Sequence, residues 1–287
     1  MKLDDERESS KIEDRRGGGG GKAGLGIGTI IIALIASYFL GIDPRTLLGV
    51  AETVQGSGQT QQQAKPIDTA SDQERAMVSE MKKILAKTED TWGALFASGN
   101  GQYQPPKLVL FRGQTPTACG TGQSAMGPFY CPGDQKVYLD LAFFDEMAKR
   151  FNAAGDFARA YVIAHEVGHH VQHLLGVTEK TNAMRSKMSA TQSNKVSVRV
   201  ELQADCFAGV WAYHANRKKP FIDAGDVEEA LKAASAIGDD ALQRAARGAV
   251  VPDSFTHGTS AQRMRWFSAG FETGNMKACD TFAAQTI

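Results

Sequence analysis

From Leu25 to Ile42 the chain carries no charge, and no other feature limits its architecture so firmly. As a helix, these eighteen residues at about 1.5 Å each span roughly 27 Å, enough for the hydrocarbon core of a bilayer. Tyr38 and Phe39 lie toward the far end, where aromatic rings favour the interface. Arg15, Arg16 and Lys22 precede the run, while Asp43, Arg45 and Glu52 follow it. The positive-inside rule then predicts a single-pass chain in the inner membrane, with a cytoplasmic N-terminus and everything after Ile42 on the periplasmic side. A cleaved signal peptide is the competing reading, but Gly49-Val50-Ala51 offers only a weak cleavage site after a long charged leader.

The run divides the chain into four parts. Residues 1–24 alternate charges and end in the glycines Gly17 to Gly21, which predicts a disordered tail with almost nothing apolar to bury. Residues 25–42 are the expected anchor. Residues 43–70, with Gln55, Gln59, Gln61, Gln62 and Gln63 among Gly, Ser and Thr, read as a tether. Residues 71–287 are long enough for one domain with a full core.

Lys plus Arg number 32 against 32 Asp plus Glu. That balance gives no electrostatic reason for a nucleic-acid partner. Within the body, apolar residues recur at helical spacing over Asp72 to Phe96, and Asp156 can cap a helix that runs through His173 to Gly176. Further helices are predicted from Ser193 to Asn216, Asp226 to Ala236 and Ser260 to Phe271. Leu108 to Phe111 and Lys136 to Leu141 have the β-branched and aromatic content of strands. The fold class expected is therefore α+β and mostly helical, with a small β-element, preceded by a single transmembrane helix.

His165-Glu166-Val167-Gly168-His169 has the form H-E-x-x-H. Four residues advance a helix by about 400°, so both imidazoles leave one face, one turn apart. That is the spacing of two nitrogen ligands on one zinc ion, with Glu166 beside them as general base for a zinc-activated water. Gly168 lies mid-helix, where glycine costs about 1 kcal/mol unless packing or a site requires it. His170 and His173 leave the helix about 100° and 40° away from His169, which makes His173 the nearer rival ligand.

A catalytic zinc takes a third protein ligand, and Glu201 is the best candidate. Asp205, four residues on, shares its helical face and can bond the other ring nitrogen of a ligand histidine. Val198, Val200, Leu202, Ala204, Phe207 and Val210 make this helix look buried, and buried carboxylates need partners.

His165-Glu166-x-x-His169 followed by Glu201-x-x-x-Asp205 resembles the gluzincin arrangement of zinc peptidases. The body more closely resembles the neutral zinc metallopeptidase family of bacterial membrane-anchored proteins. Pro128-Phe129-Tyr130-Cys131-Pro132, Val137-Tyr138-Leu139-Asp140, the H-E-x-x-H segment, Glu201 to Cys206 and Thr256-His257-Gly258 carry the likeness. It implies a zincin-like fold, one zinc ion per chain and a peptide or protein substrate. It also implies that His257 stabilises the oxyanion. A loop histidine capping the helix at Ser260 is the alternative. Arg263 can pair with a buried acid, which the sequence does not name.

Cys206 points about 140° away from Glu201 around the helix, so it is not a metal ligand. Cys119 and Cys131 bracket a Gly-rich loop, and in an exported domain the pairs Cys119–Cys131 and Cys206–Cys279 are expected. The strand Lys136 to Leu141 is expected to hold substrate by edge pairing. Two other functions stay open: a zinc hydrolase of non-peptide amides, and a membrane-tethered zinc-binding adaptor without catalysis.

Overall fold

The computed structural model describes residues 1–16, 71–151 and 155–287. The expected anchor and tether, residues 25–42 and 43–70, lie outside them.

Helix α1 (Asp72–Ser98) starts where the Ser71 hydroxyl accepts a hydrogen bond from the Glu74 amide, and it buries Met81, Ile84, Leu85 and Trp92. After it come strands β2 (Lys107–Phe111), β3 (Gln114–Thr117), β4 (Gly120–Gln123), β5 (Phe129–Cys131) and β6 (Lys136–Asp140). β3 and β4 form a separate antiparallel hairpin. The remaining strands join β1 (Ile12–Asp14) in one sheet of order β1-β2-β6-β5, parallel except for the β6–β5 pair.

Side chains alternate across this sheet. Leu108, Leu110, Val137 and Leu139 join the main helical core, while Val109, Phe111, Tyr138 and Cys131 pack together with Phe129. β6 is interior, so the expectation that Lys136 to Leu141 presents an edge is corrected. Among the described residues the edges of this sheet are β1 and β5.

The helical layer comprises α2 (Ala142–Phe151), α3 (Asp156–Leu174), α4 (Val177–Arg185), α5 (Ala190–Lys218), α6 (Asp226–Ala236), α7 (Asp239–Arg247) and α8 (Ser260–Thr273). Gly155, not Asp156, is the cap of α3. α5 begins three residues earlier than its apolar pattern does. Ser189 and Gln192 form a reciprocal capping box there, so polar residues define the start. Phe157 stacks on Trp211, and Trp92 meets Phe207 edge-on, locking α1 and α3 onto α5.

The N-terminal segment overturns two expectations. Residues 1–16 are not a separate disordered tail. Leu3 is buried in the core, and Ile12, Glu13 and Asp14 pair in register with Leu108, Val109 and Leu110. The alternating charges, which suggested disorder, match charges on the body: Glu6 with Lys87 at 2.8 Å, Arg7 with Glu89 at 2.8 Å, Glu13 with Lys136 at 2.8 Å. A single crossing between residues 16 and 71 would separate two segments that share a sheet. Among the described residues no helix is long and apolar enough to cross a membrane. The mostly helical α+β body therefore stands, and the expectation of a single-pass anchor ahead of it is corrected, because residues 12–14 belong to the same sheet as the body.

Both disulfides form as expected, Cys119–Cys131 and Cys206–Cys279. The first ties the β3–β4 turn to the end of β5. The second ties the 3-10 turn Met276–Cys279 to α5.

Candidate active site

α3 and α5 approach closely enough that a Cβ at Gly168 would stand 3.0 Å from the Ala204 carbonyl oxygen. This close crossing explains a glycine inside α3. It also brings the histidine face of α3 against the acidic face of α5. His165 Nε2 lies 3.2 Å from Glu201 Oε2, and His169 Nε2 lies 3.6 Å from Glu201 Oε1. One ligand atom from each of the three lies within 4.8 Å of the others.

Two neutral nitrogens and a carboxylate oxygen are a donor set suited to zinc. Each Nδ1 is already engaged. His165 Nδ1 is 2.7 Å from Asp205 Oδ1, and His169 Nδ1 is 2.8 Å from Gln172 Oε1. Only the Nε2 atoms face the cluster, so the residues present fit one such ion.

Asp205 is fully buried, as its sequence neighbours suggested, and its partners are now named. Arg263 on α8 donates through Nε to Oδ2 at 2.9 Å and through Nη2 to Oδ1 at 3.0 Å. The Tyr161 hydroxyl donates to Oδ1 at 2.5 Å. Burial alone would raise the Asp205 pKa; the charges of Arg263 and His165 outweigh it and bring the carboxyl to about 2. The same carboxylates act on the rings. Burial disfavours a charged His165, yet Asp205 and Glu201 raise its pKa to about 10. The cluster thus stabilises positive charge where a divalent ion would sit.

Glu166 is buried on the same cleft, and burial raises its pKa against the opposing pull of His165 and His169. That direction suits a group that must accept a proton near neutral pH.

His257 lines the cleft from the loop before α8. Asp239, at the start of α7, organises that loop: one carboxylate oxygen accepts the backbone N–H of Thr256 (2.7 Å), His257 (2.6 Å) and Gly258 (2.9 Å). Gly258 has φ +91°, a conformation that favours glycine. The other Asp239 oxygen is 3.3 Å from His257 Nδ1. Packing would lower the His257 pKa, but Asp239 and the charge of Glu201 raise it. Helix capping at Ser260 belongs to Thr259, not His257.

The rival histidines are occupied elsewhere. His173 Nδ1 lies 2.9 Å from Glu179 Oε1, on the neighbouring helix α4. His170 Nε2 donates to the Gln104 carbonyl at 2.6 Å, and the Tyr130 hydroxyl lies 3.0 Å from its Nδ1. Burial holds the His170 pKa down at about 4, so the ring is neutral.

Around the cluster opens a cleft of about 630 Å³. Phe129 and Tyr130 of β5 form part of one wall; Phe143, Met147, Ile237 and Leu242 supply apolar surface. The sequence reading missed Gln172, Tyr161 and Asp239. For Gln172 and Tyr161 helical spacing was an available signal, since they stand three and four residues from His169 and His165.

Over residues 1–282 the chain matches the family described as putative neutral zinc metallopeptidase. The uncharacterised protein YpfJ of Escherichia coli K12 is 47% identical over 293 residues, covering 98% of this chain and 99% of that protein. The uncharacterised protein Rv2575 of Mycobacterium tuberculosis H37Rv is 44% identical over 195 residues, 64% of this chain and 65% of its own length. No solved structure matches.

Proposed function

The chain belongs to the putative neutral zinc metallopeptidase family, and on that premise we propose that it is a zinc-dependent endopeptidase acting on extended protein segments. The convergence of His165, His169 and Glu201 beside Glu166 in one cleft carries this reading. Bound by those three residues, zinc supplies a Lewis acid that polarises the scissile carbonyl and activates water.

Glu166 takes the proton of the attacking water and returns it to the leaving amine. Asp205 holds His165 in the tautomer that leaves Nε2 bare. His257 donates to the carbonyl oxygen as negative charge develops there. The substrate backbone adds as a strand along β5, and the apolar wall at Phe143, Met147 and Leu242 favours a bulky apolar side chain beside the cut. Among the described residues the cluster has three protein donors rather than four, which argues against a purely structural zinc. The two disulfides favour an oxidising compartment.

Glu166→Gln tests the chemistry. The full-length variant should bind zinc as wild type does and lose casein hydrolysis by about 10²–10⁴-fold. Undiminished hydrolysis would remove Glu166 from the reaction. A wild-type protein that binds zinc and cleaves cell-wall amides but not casein would move the assignment to non-peptide amides.

A further inference from the structure

His169 is a ligand through Nε2 only if its proton sits on Nδ1, and a series of buried hydrogen bonds leads to that nitrogen. The main-chain carbonyls of Val200 and Cys279 can only accept hydrogen bonds. Gln203 must therefore turn its Nε2 toward the Cys279 oxygen, 3.0 Å away, which turns its Oε1 toward Gln172. Gln172 must turn its Nε2 toward the Val200 oxygen at 2.7 Å and the Gln203 Oε1 at 3.1 Å. Its own Oε1 then faces His169 Nδ1 at 2.8 Å and can only accept. Each bond in the series leaves a single orientation for the next group.

We propose that Gln172 and Gln203 are positioning residues that set the tautomer and ring orientation of His169 through this buried amide relay. The inference rests on the zinc reading above and extends it. Both glutamines are buried, so an amide group left without its partner there is costly. Cys279, at the far end, is bonded to Cys206, the neighbour of Asp205. α5 thus bears on both ligand imidazoles by different chemistry: its Asp205, paired with Arg263, bonds His165 directly, while its Gln203 and Val200 carbonyl orient Gln172 of α3, which bonds His169.

Gln172→Met fills the same space without an acceptor; Gln172→Glu keeps the acceptor but faces the Val200 and Gln203 oxygens with a carboxylate. Two readouts apply to each full-length variant. One is the ¹⁵N shifts of the histidine rings in metal-free protein, followed upward in pH until His169 is neutral. The other is zinc affinity by competition with a chelator.

Wild type should hold His169 as Nδ1–H. Gln172→Met should shift the ring toward Nε2–H and weaken zinc by about 10- to 100-fold. Gln172→Glu should unfold more easily yet keep the tautomer and nearly all of the zinc affinity. Affinities that merely follow stability across the two variants, or an unchanged tautomer in Gln172→Met, would overturn the relay. Should Gln172→Met not fold, Gln203→Met carries the test: a loss of zinc affinity supports the relay and unchanged affinity overturns it. The tautomer in metal-free protein is read independently of peptidase activity, so a failed relay and a failed peptidase assignment give different results.

Discussion

Gly168 on α3 and Ala204 on α5 face each other so closely that an added Cβ would lie 3.2 Å from the Ala204 Cα. The metal cluster depends on this approach, because His165 and His169 leave α3 on either side of Gly168 and Glu201 leaves α5 one turn before Ala204. Gly168→Ala improves helix propensity by about 1 kcal/mol, while overpacking against backbone costs about 1–3 kcal/mol. We expect a net loss of up to roughly 2 kcal/mol in urea denaturation, with weaker zinc binding. A more stable variant would show that the two helices can part at no cost.

Arg263 and Asp205 form a buried, two-bond ion pair. Removing only the cation leaves a carboxylate without compensation. Arg263→Leu should lose about 3–5 kcal/mol of stability, and Arg263→Lys less. Urea denaturation at neutral pH measures it, and a loss under 0.5 kcal/mol, roughly a typical surface effect, would mean that Tyr161 and His165 suffice to hold Asp205.

Asp239 raises the His257 pKa, so the imidazolium persists to higher pH than a free imidazole. If that cation stabilises the oxyanion, kcat/KM falls as pH rises through the His257 pKa. Asp239→Asn keeps one acceptor oxygen for the loop but removes the charge, so the His257 pKa drops. The alkaline limb should then move to lower pH. A limb that stays in place would assign the oxyanion to another donor.

The β1 strand covers an edge of β2 that is otherwise open. Deleting residues 1–16 uncovers that edge and the pocket of Leu3. The expected loss is at least about 2 kcal/mol, the worth of one buried leucine, with self-association through β2. Thermal unfolding and light scattering test this; unchanged melting of a monomer would return the segment to the status of a dispensable tail.

What the sequence determined by itself was everything with a short period. Four-residue spacing on a helix is local geometry, so H-E-x-x-H and Glu201-x-x-x-Asp205 could be read as two faces of ligand and partner before any fold was known. The helical body was legible for the same reason of spacing, whereas four cysteines allow three pairings, and the fold decided which one forms.

Only the tertiary structure decided how those faces meet and what surrounds them. Ile12-Glu13-Asp14 is a strand because β2, nearly a hundred residues away, supplies its hydrogen bonds and the body supplies its counter-charges. Composition could not reveal that, and it made an integral strand look like a solvated tail. Arg263 finds Asp205, Asp239 finds the Thr256–Gly258 loop, and Gln172 finds Gln203 only once α3, α5 and α8 have packed. Helical spacing can place such polar side chains on a face, but it does not name their partners on another element. Their partners are chosen by burial, which makes an unpaired polar group costly and is a property of the folded whole.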